Sequence, residues 1–211
     1  MIETSSKKDI KKIAITHMLA FPDSFSTKLG KKYCTKMFEW YLSTDSTFLF
    51  HMKIDNNIVG YCGGKIAGSL GSGSTTAMMQ FTFKQAIKSL LLRPWLFFNS
   101  IMISNYLIIY KNILLKLGVK KKKVITTKKH KNNDNFKSVG LVVIGVNEKH
   151  QGLGFGSKIL IEFEKRCKSI GAKKINLSVK TSNLSAIKSY SRNGWLVDFS
   201  NNYETKFYKL I

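Results

Sequence analysis

Residues 139–146 read VGLVVIGV, an uncharged apolar run, and residues 151–156 read QGLGFG, with Gly152, Gly154 and Gly156 packed into five positions. An amphipathic stretch follows and ends at Gly171. A short apolar run, a glycine turn and a helical period predict a buried strand passing straight into a helix. Glycine lets successive backbone N–H groups converge on one point, and the helix that follows adds its positive end. The turn is therefore built for an anion, phosphate above all. The plainer reading is a tight strand-to-helix connection with no ligand.

Two common phosphate turns fail. A Walker loop needs a glycine five positions before a Gly-Lys-Ser/Thr triplet. Its nearest candidate, GGKI at residues 63–66, has Val59 for that glycine and Ile66 for the metal-binding hydroxyl. A dinucleotide fingerprint needs G-x-G-x-x-G and an acid about 20 residues on. Here the spacing is G-x-G-x-G, and the next strand, KKINLSVK at residues 173–180, holds no acid.

Upstream, residues 9–21 and 29–43 show helical spacing, and residues 46–54 and 57–66 flank Asp55-Asn56, a hairpin signal. Residues 67–76 are a Gly/Ser connector leading into an apolar, mostly helical segment. Its uncharged stretch, residues 94–110, falls short of the about 20 apolar residues that span a bilayer. A lysine-rich stretch follows to residue 137. Beyond it the rhythm is α/β: a helix over residues 182–194 and a final antiparallel strand pair over 195–200 and 203–211.

Charge narrows the partners. The 211 residues carry a net +23, and residues 77–137 alone hold 13 Lys/Arg against one acid, Asp134. Such a field draws anions: a phosphorylated ligand, an acidic membrane face or nucleic acid. Nucleic acid is not expected, because residues 118–135 interleave no aromatic side chain with the lysines. The lysine run is otherwise a solvated loop. Three cysteines without CxxC spacing and four scattered histidines form no metal set, and a reducing, cytoplasmic setting is expected. The N-terminus lacks the unbroken apolar stretch and small-residue cleavage site of a signal peptide.

Gln151, Gly154 and Gly156 match Q/R-x-x-G-x-G/A, and Asn183, Ala186, Tyr190, Gly194 and Trp195 match N-x-x-A-x-x-x-Y-x-x-x-G-F with Trp for Phe. In these two motifs, in this order, the chain resembles the GNAT superfamily, the Gcn5-related N-acetyltransferases. The resemblance covers residues 139–211 well and 9–66 loosely, and leaves out 67–137. It implies a mixed α/β fold with a mostly antiparallel central sheet flanked by helices. The halves would be residues 1–66 and 138–211, with 67–137 as a helical, basic insertion. That insertion would cap the acceptor site, mediate self-association as a homodimer or lie on an anionic membrane.

The resemblance also implies roles. Gln151, Gly152, Leu153, Gly154, Phe155 and Gly156, with Ser157, would hold the pyrophosphate of acetyl-coenzyme A (or another acyl-coenzyme A), and no metal is implied. Ile144 and Val146 would act through their backbones, Val146 N–H facing the thioester oxygen. Asn183 and Ala186 would contact the coenzyme, although Asn183 is equally the N-cap of its helix. Tyr190 is either the general acid or a core tyrosine, since Ile187, Tyr190 and Ser191 share a face. Ser178 stands where peptide N-terminal acetyltransferases of the family often carry a Glu. For a base the sequence offers Glu148, His150 and His51, or water. The expected reaction is acyl transfer to a primary amine, with an anionic small acceptor such as a nucleotide-linked amino sugar favoured by the charge. A protein or peptide amine, and a non-catalytic coenzyme A- or membrane-binding module, are the alternatives.

Overall fold

The computed structural model describes residues 1–67, 74–99, 102–103 and 137–211, with backbone alone for 74–76. Most of the Gly/Ser connector, the later part of the apolar run and the lysine-rich stretch lie outside the described residues.

The chain opens with a short strand, β1 (Ile2–Thr4), then α1 (Ile10–Ala20), α2 (Phe25–Lys28) and α3 (Lys31–Glu39). The hairpin β2 (Thr47–Ile54) and β3 (Asn57–Ala67) follows, turning on Asp55 and Asn56 at φ of 46° and 64°. Positive φ at both central residues gives the twist that a two-residue hairpin requires. After α4 (Ser74–Leu91) and a 3-10 turn (Pro94–Phe98) come β4 (Ser138–Val146), α5 (Phe155–Ser169), β5 (Lys174–Lys180), α6 (Leu184–Arg192), β6 (Leu196–Ser200) and β7 (Glu204–Leu210).

The strands form one sheet in the order β1-β2-β3-β4-β5-β7-β6. Every neighbouring pair is antiparallel except β4 and β5. Helices cover both faces. Ile10, Ile13 and Ala14 of α1 and Met37 and Phe38 of α3 pack with Leu49, Ile58 and Tyr61 on one side. On the other, Ile159, Leu160, Phe163 and Cys167 of α5 meet Phe50, Cys62, Val139, Ile175 and Phe207. The four α5 residues recur at helical spacing, which is why a helix after the glycine turn buries one stripe and leaves Glu162 and Lys165 outward.

Local expectations needed three adjustments. The helix expected over 29–43 begins at Lys31, because Gly30 at φ +93° caps it, and it closes in a 3-10 turn at Trp40–Leu42. The connector expected to run to residue 76 gives way to α4 at Ser74. β1 was not expected at all: three residues carry no readable period, and pairing with β2 through Ile2↔Met52 is what makes them a strand.

A bulge in β4 matters for the site. Gly63 pairs with Val143 and Gly64 with Leu141, which leaves Val142 as the extra residue. Val139 and Leu141 face α5, Val142 and Val143 both face α1, and Ile144 and Val146 return to the α5 side. The bulge shifts the alternation by one just before the end of the strand.

Candidate active site

β4 and β5 pair only through Ser138↔Lys174, Val139↔Ile175 and Gly140↔Asn176. Beyond these, β4 stays bonded to β3 as far as Gly60↔Val146, and β5 stays bonded to β7 as far as Lys180↔Glu204. The two strands therefore part, and residues 141–146 present a backbone edge with no strand beside it among the described residues. Asn147 N–H donates to the Val59 carbonyl at 2.8 Å. Since backbone groups alternate sides along a strand, the N–H groups of Val146 and Ile144 face the opening. The Val146 carbonyl accepts from Gln151 Nε2 at 3.0 Å, which ties the strand end to the turn and leaves its N–H unused.

The turn itself is open. Asn147 caps a 3-10 turn at Glu148–His150. Gly152 and Gly154 then take φ of +77°, a conformation that costs other residues about 1–2 kcal/mol. No side chain caps α5, and Lys158 N–H, bonded to the Gly154 carbonyl at 3.1 Å, is the first to be satisfied within it. The N–H groups of Phe155, Gly156 and Ser157 thus lack intrahelical acceptors at the positive end of the helix. A Cβ placed on Gly152, Gly154 or Gly156 would meet nothing within 4 Å. Leu153 is exposed, Phe155 lies under the Lys158 ammonium at 5.4 Å, and Ser157 Oγ accepts from Asn193 Nδ2 at 3.1 Å. Convergent backbone donors beside an unpaired strand edge fit a pyrophosphate joined to an extended, amide-bearing arm.

Tyr190 is 7 % exposed, packed against Trp195 (6.0 Å between ring centroids) and Phe207 (5.7 Å). Burial holds its phenol well above the usual range, so it keeps its proton at neutral pH. Its surroundings are those of a core tyrosine that ends in a protonated hydroxyl. Asn183 Oδ1 accepts from Ala186 N–H at 3.1 Å, so the N-cap is real and spares the Nδ2 donor.

The base candidates fare differently. His51 is fully buried, its Nδ1 2.8 Å from Ser5 Oγ, on a strand separated from β4 by β3. It is not brought to the opening, and burial lowers its pKa. Glu148 is exposed on the 3-10 turn, and His150 lies against Phe155 at 6.1 Å. The three cysteines are buried and reduced. Burial pushes the Cys34 and Cys167 thiols up to about 12, so they offer no thiolate.

Two polar arrangements carried no signal in the linear sequence. On β5, Ile175 and Leu177 are buried towards α5, so Asn176 and Ser178 face the α1 side. There Ser178 Oγ donates to Glu204 Oε2 at 2.7 Å, and Lys206 Nζ lies 3.1 Å from Glu204 Oε1. These contacts, the Ser178 hydrogen bond foremost, hold the Glu204 carboxyl below its usual range. The second is a buried chain, in which His17 lies 2.6 Å from Tyr61 Oη and 2.9 Å from Ser26 Oγ. Tyr61 covers Gly145, whose missing Cβ would collide with the tyrosine hydroxyl.

A seven-stranded sheet that splits at its one parallel pair, beside an uncapped glycine turn, defines a class. Residues 125–195 match the model of the acetyltransferase (GNAT) family. No curated protein matches the chain. Among solved structures it resembles the PaiA N-acetyltransferase of Thermoplasma acidophilum in complex with coenzyme A, at 12 % identity and a TM-score of 0.57, over 100 % of this chain and 98 % of that one. It resembles the ribosomal-protein-S18-alanine N-acetyltransferase of Escherichia coli at 11 % identity and a TM-score of 0.56, over 100 % and 93 %. An N-acetyltransferase of Staphylococcus aureus Mu50 aligns at 11 % identity and a TM-score of 0.55, over 100 % and 97 %. The chain has the fold of these structures, and its residues 125–195 are similar to the GNAT acetyltransferase family.

Proposed function

We propose that this chain moves an acetyl or short acyl group from acyl-coenzyme A to the primary amine of a small anionic acceptor, of the type of a nucleotide-linked amino sugar. The observation that carries the reading is the parting of β4 from β5 directly beside the uncapped turn. Gln151 through Gly156, with Ser157, would hold the pyrophosphate by backbone N–H groups at the start of α5. Ile144 and Val146 would receive the pantetheine arm as an added strand, and Asn183 Nδ2, with Ala186 beside it, would complete the contact.

Val146 N–H would then meet the thioester oxygen and stabilise the negative charge that grows there as the amine attacks. One such donor contributes typically about 3 kcal/mol to the barrier. The new C–N bond forms as the C–S bond breaks, and Tyr190 would give its proton to the departing sulfur. The proton lost by the amine needs an acceptor. Glu204 is the ionised carboxylate on the α1 side of β5, where Ser178 is exposed. It would hold the ammonium form and take the proton, directly or through one water.

The acceptor class rests on charge. A field of +23 repels polyamines and lysine-rich tails and attracts a diphosphate, while Glu204 among Lys180 and Lys206 suits one ammonium on an otherwise anionic molecule. The test is free-thiol release from acetyl-coenzyme A with nucleotide-linked amino sugars, peptides and polyamines offered separately. Release with the sugar class alone, lost in Tyr190→Phe, is the expected outcome. Release with peptides or polyamines instead would overturn the acceptor assignment and leave the transfer reaction standing.

A further inference from the structure

The end of α4 and the 3-10 turn after it leave large apolar side chains in water. Leu91 is 71 % exposed, Leu92 74 %, Trp95 63 % and Phe98 82 %, with Phe97 also exposed. All five fall within eight consecutive residues, and Trp95 and Phe98 line the same cleft. Leu96 alone in this turn points inward, at 5 % exposure. The patch is held in place: Arg93 Nη1 donates to the Leu29 carbonyl at 2.8 Å, and its guanidinium fills the space where Gly30 lacks a Cβ. A patch of this kind on a folded protein marks a contact surface.

Its surroundings carry one sign of charge. Residues 74–103 contain Lys84, Lys88 and Arg93 and no acid. Lys28 and Arg93 line a cleft of about 420 Å³ together with Trp95 and Phe98. Lys84 and Lys88 are exposed on α4, one helical turn apart. A second copy of the chain would bring two such basic faces together, each on a molecule of +23, which like-charge repulsion opposes. Among the described residues no helix is long and apolar enough to cross a membrane. Exposed aromatic and leucine side chains flanked by Lys28, Lys84, Lys88 and Arg93 match the interface of an anionic bilayer, where apolar groups enter the headgroup boundary and ammonium groups meet lipid phosphates.

We propose that the face formed by Leu91, Leu92, Trp95, Phe97 and Phe98 docks the enzyme on the surface of a membrane rich in anionic lipid. The full chain is sedimented with vesicles of phosphatidylcholine containing about one-third phosphatidylglycerol, and with phosphatidylcholine alone. Binding at least about tenfold stronger to the anionic vesicles, weakened by salt, is expected. Trp95→Ala with Phe98→Ser lowers that binding at least about tenfold while the thermal midpoint stays at the wild-type value. Lys84→Glu with Lys88→Glu, both fully surface changes, lowers it independently and serves if the aromatic variant fails to fold. Equal binding to both vesicle types, no binding to either, or wild-type binding by the aromatic variant would each overturn the proposal. So would a dimer that the aromatic variant dissolves in a protein that ignores vesicles.

Discussion

His17 Nδ1 lies 2.6 Å from Tyr61 Oη, and the opposite ring nitrogen lies 2.9 Å from Ser26 Oγ. Tyr61 is fully buried and its hydroxyl has no second partner among the described residues, so the phenol donates to Nδ1. The ring proton then sits on Nε2 and is given to Ser26. The imidazole is neutral, because burial lowers its pKa from the usual 6.5 to about 4. The contact pins α1 and α2 to β3, directly behind Gly145 and one residue from Val146.

Burial of His17 makes stability fall in acid. Between pH 6.5 and 4 the unfolded chain binds a proton at His17 that the folded chain refuses. Stability is therefore full above the unfolded value and drops as pH falls through that window, by up to about 3 kcal/mol. His17→Gln removes this contribution. Urea unfolding at about pH 7, 6 and 5 is expected to show a shallower acid loss in the variant, and an identical slope would refute the assignment.

Gly154→Ala separates backbone strain from packing. The added methyl group meets nothing within 4 Å, yet φ of +77° disfavours any side chain. The variant loses about 1–2 kcal/mol of stability or reshapes the turn. Coenzyme A affinity, read by calorimetry, falls at least about tenfold if the turn holds the pyrophosphate. An unchanged affinity would move the phosphate site elsewhere.

Tyr190→Phe keeps the rings against Trp195 and Phe207 and removes only the hydroxyl. The folded state and coenzyme A affinity stay near wild type, and kcat drops by about 100-fold or more, the scale of a lost general acid. A kcat within twofold of wild type would leave Tyr190 as a core residue alone.

Glu204→Gln tests the base. Hydrogen bonds from Ser178 and Lys206 hold this carboxyl below its usual 4.5, so it stays ionised at every pH above that value. The variant's loss in kcat/KM, about 100-fold, is therefore flat from weakly acidic to alkaline pH. Ser178→Ala, which leaves the carboxylate in place, costs far less. A Glu204→Gln enzyme with wild-type kcat/KM would return the role to water.

Much of the fold was readable because its signals are local. The strand, glycine turn and helix over residues 139–171 each declare themselves within a few positions, as does the Asn183 cap three residues before the Ala186 amide that it binds. The Asp55-Asn56 hairpin is equally local, since the turn needs two residues that tolerate positive φ. β1 was missed because three residues have no period, and the start of α3 because Gly30 had no visible reason to break a helix. His51 was a fair base candidate from residue type alone. Only strand order removes it from the cleft.

The amino-acid sequence by itself determined most of the elements, the glycine turn and the resemblance to the GNAT family, since these depend on residue type at fixed short spacing. The tertiary structure decided what depends on strands meeting. It set where β4 leaves β5, the bulge at Val142 that turns Ile144 and Val146 back towards α5, and the meeting of Ser178 with Glu204, 26 residues apart. It also decided that Leu91, Leu92, Trp95 and Phe98 face water while Leu96 does not. In a linear reading Trp95, Leu96 and Phe98 belong to one uncharged run that begins at Pro94. Only packing against the rest of the chain tells a buried face from an exposed one.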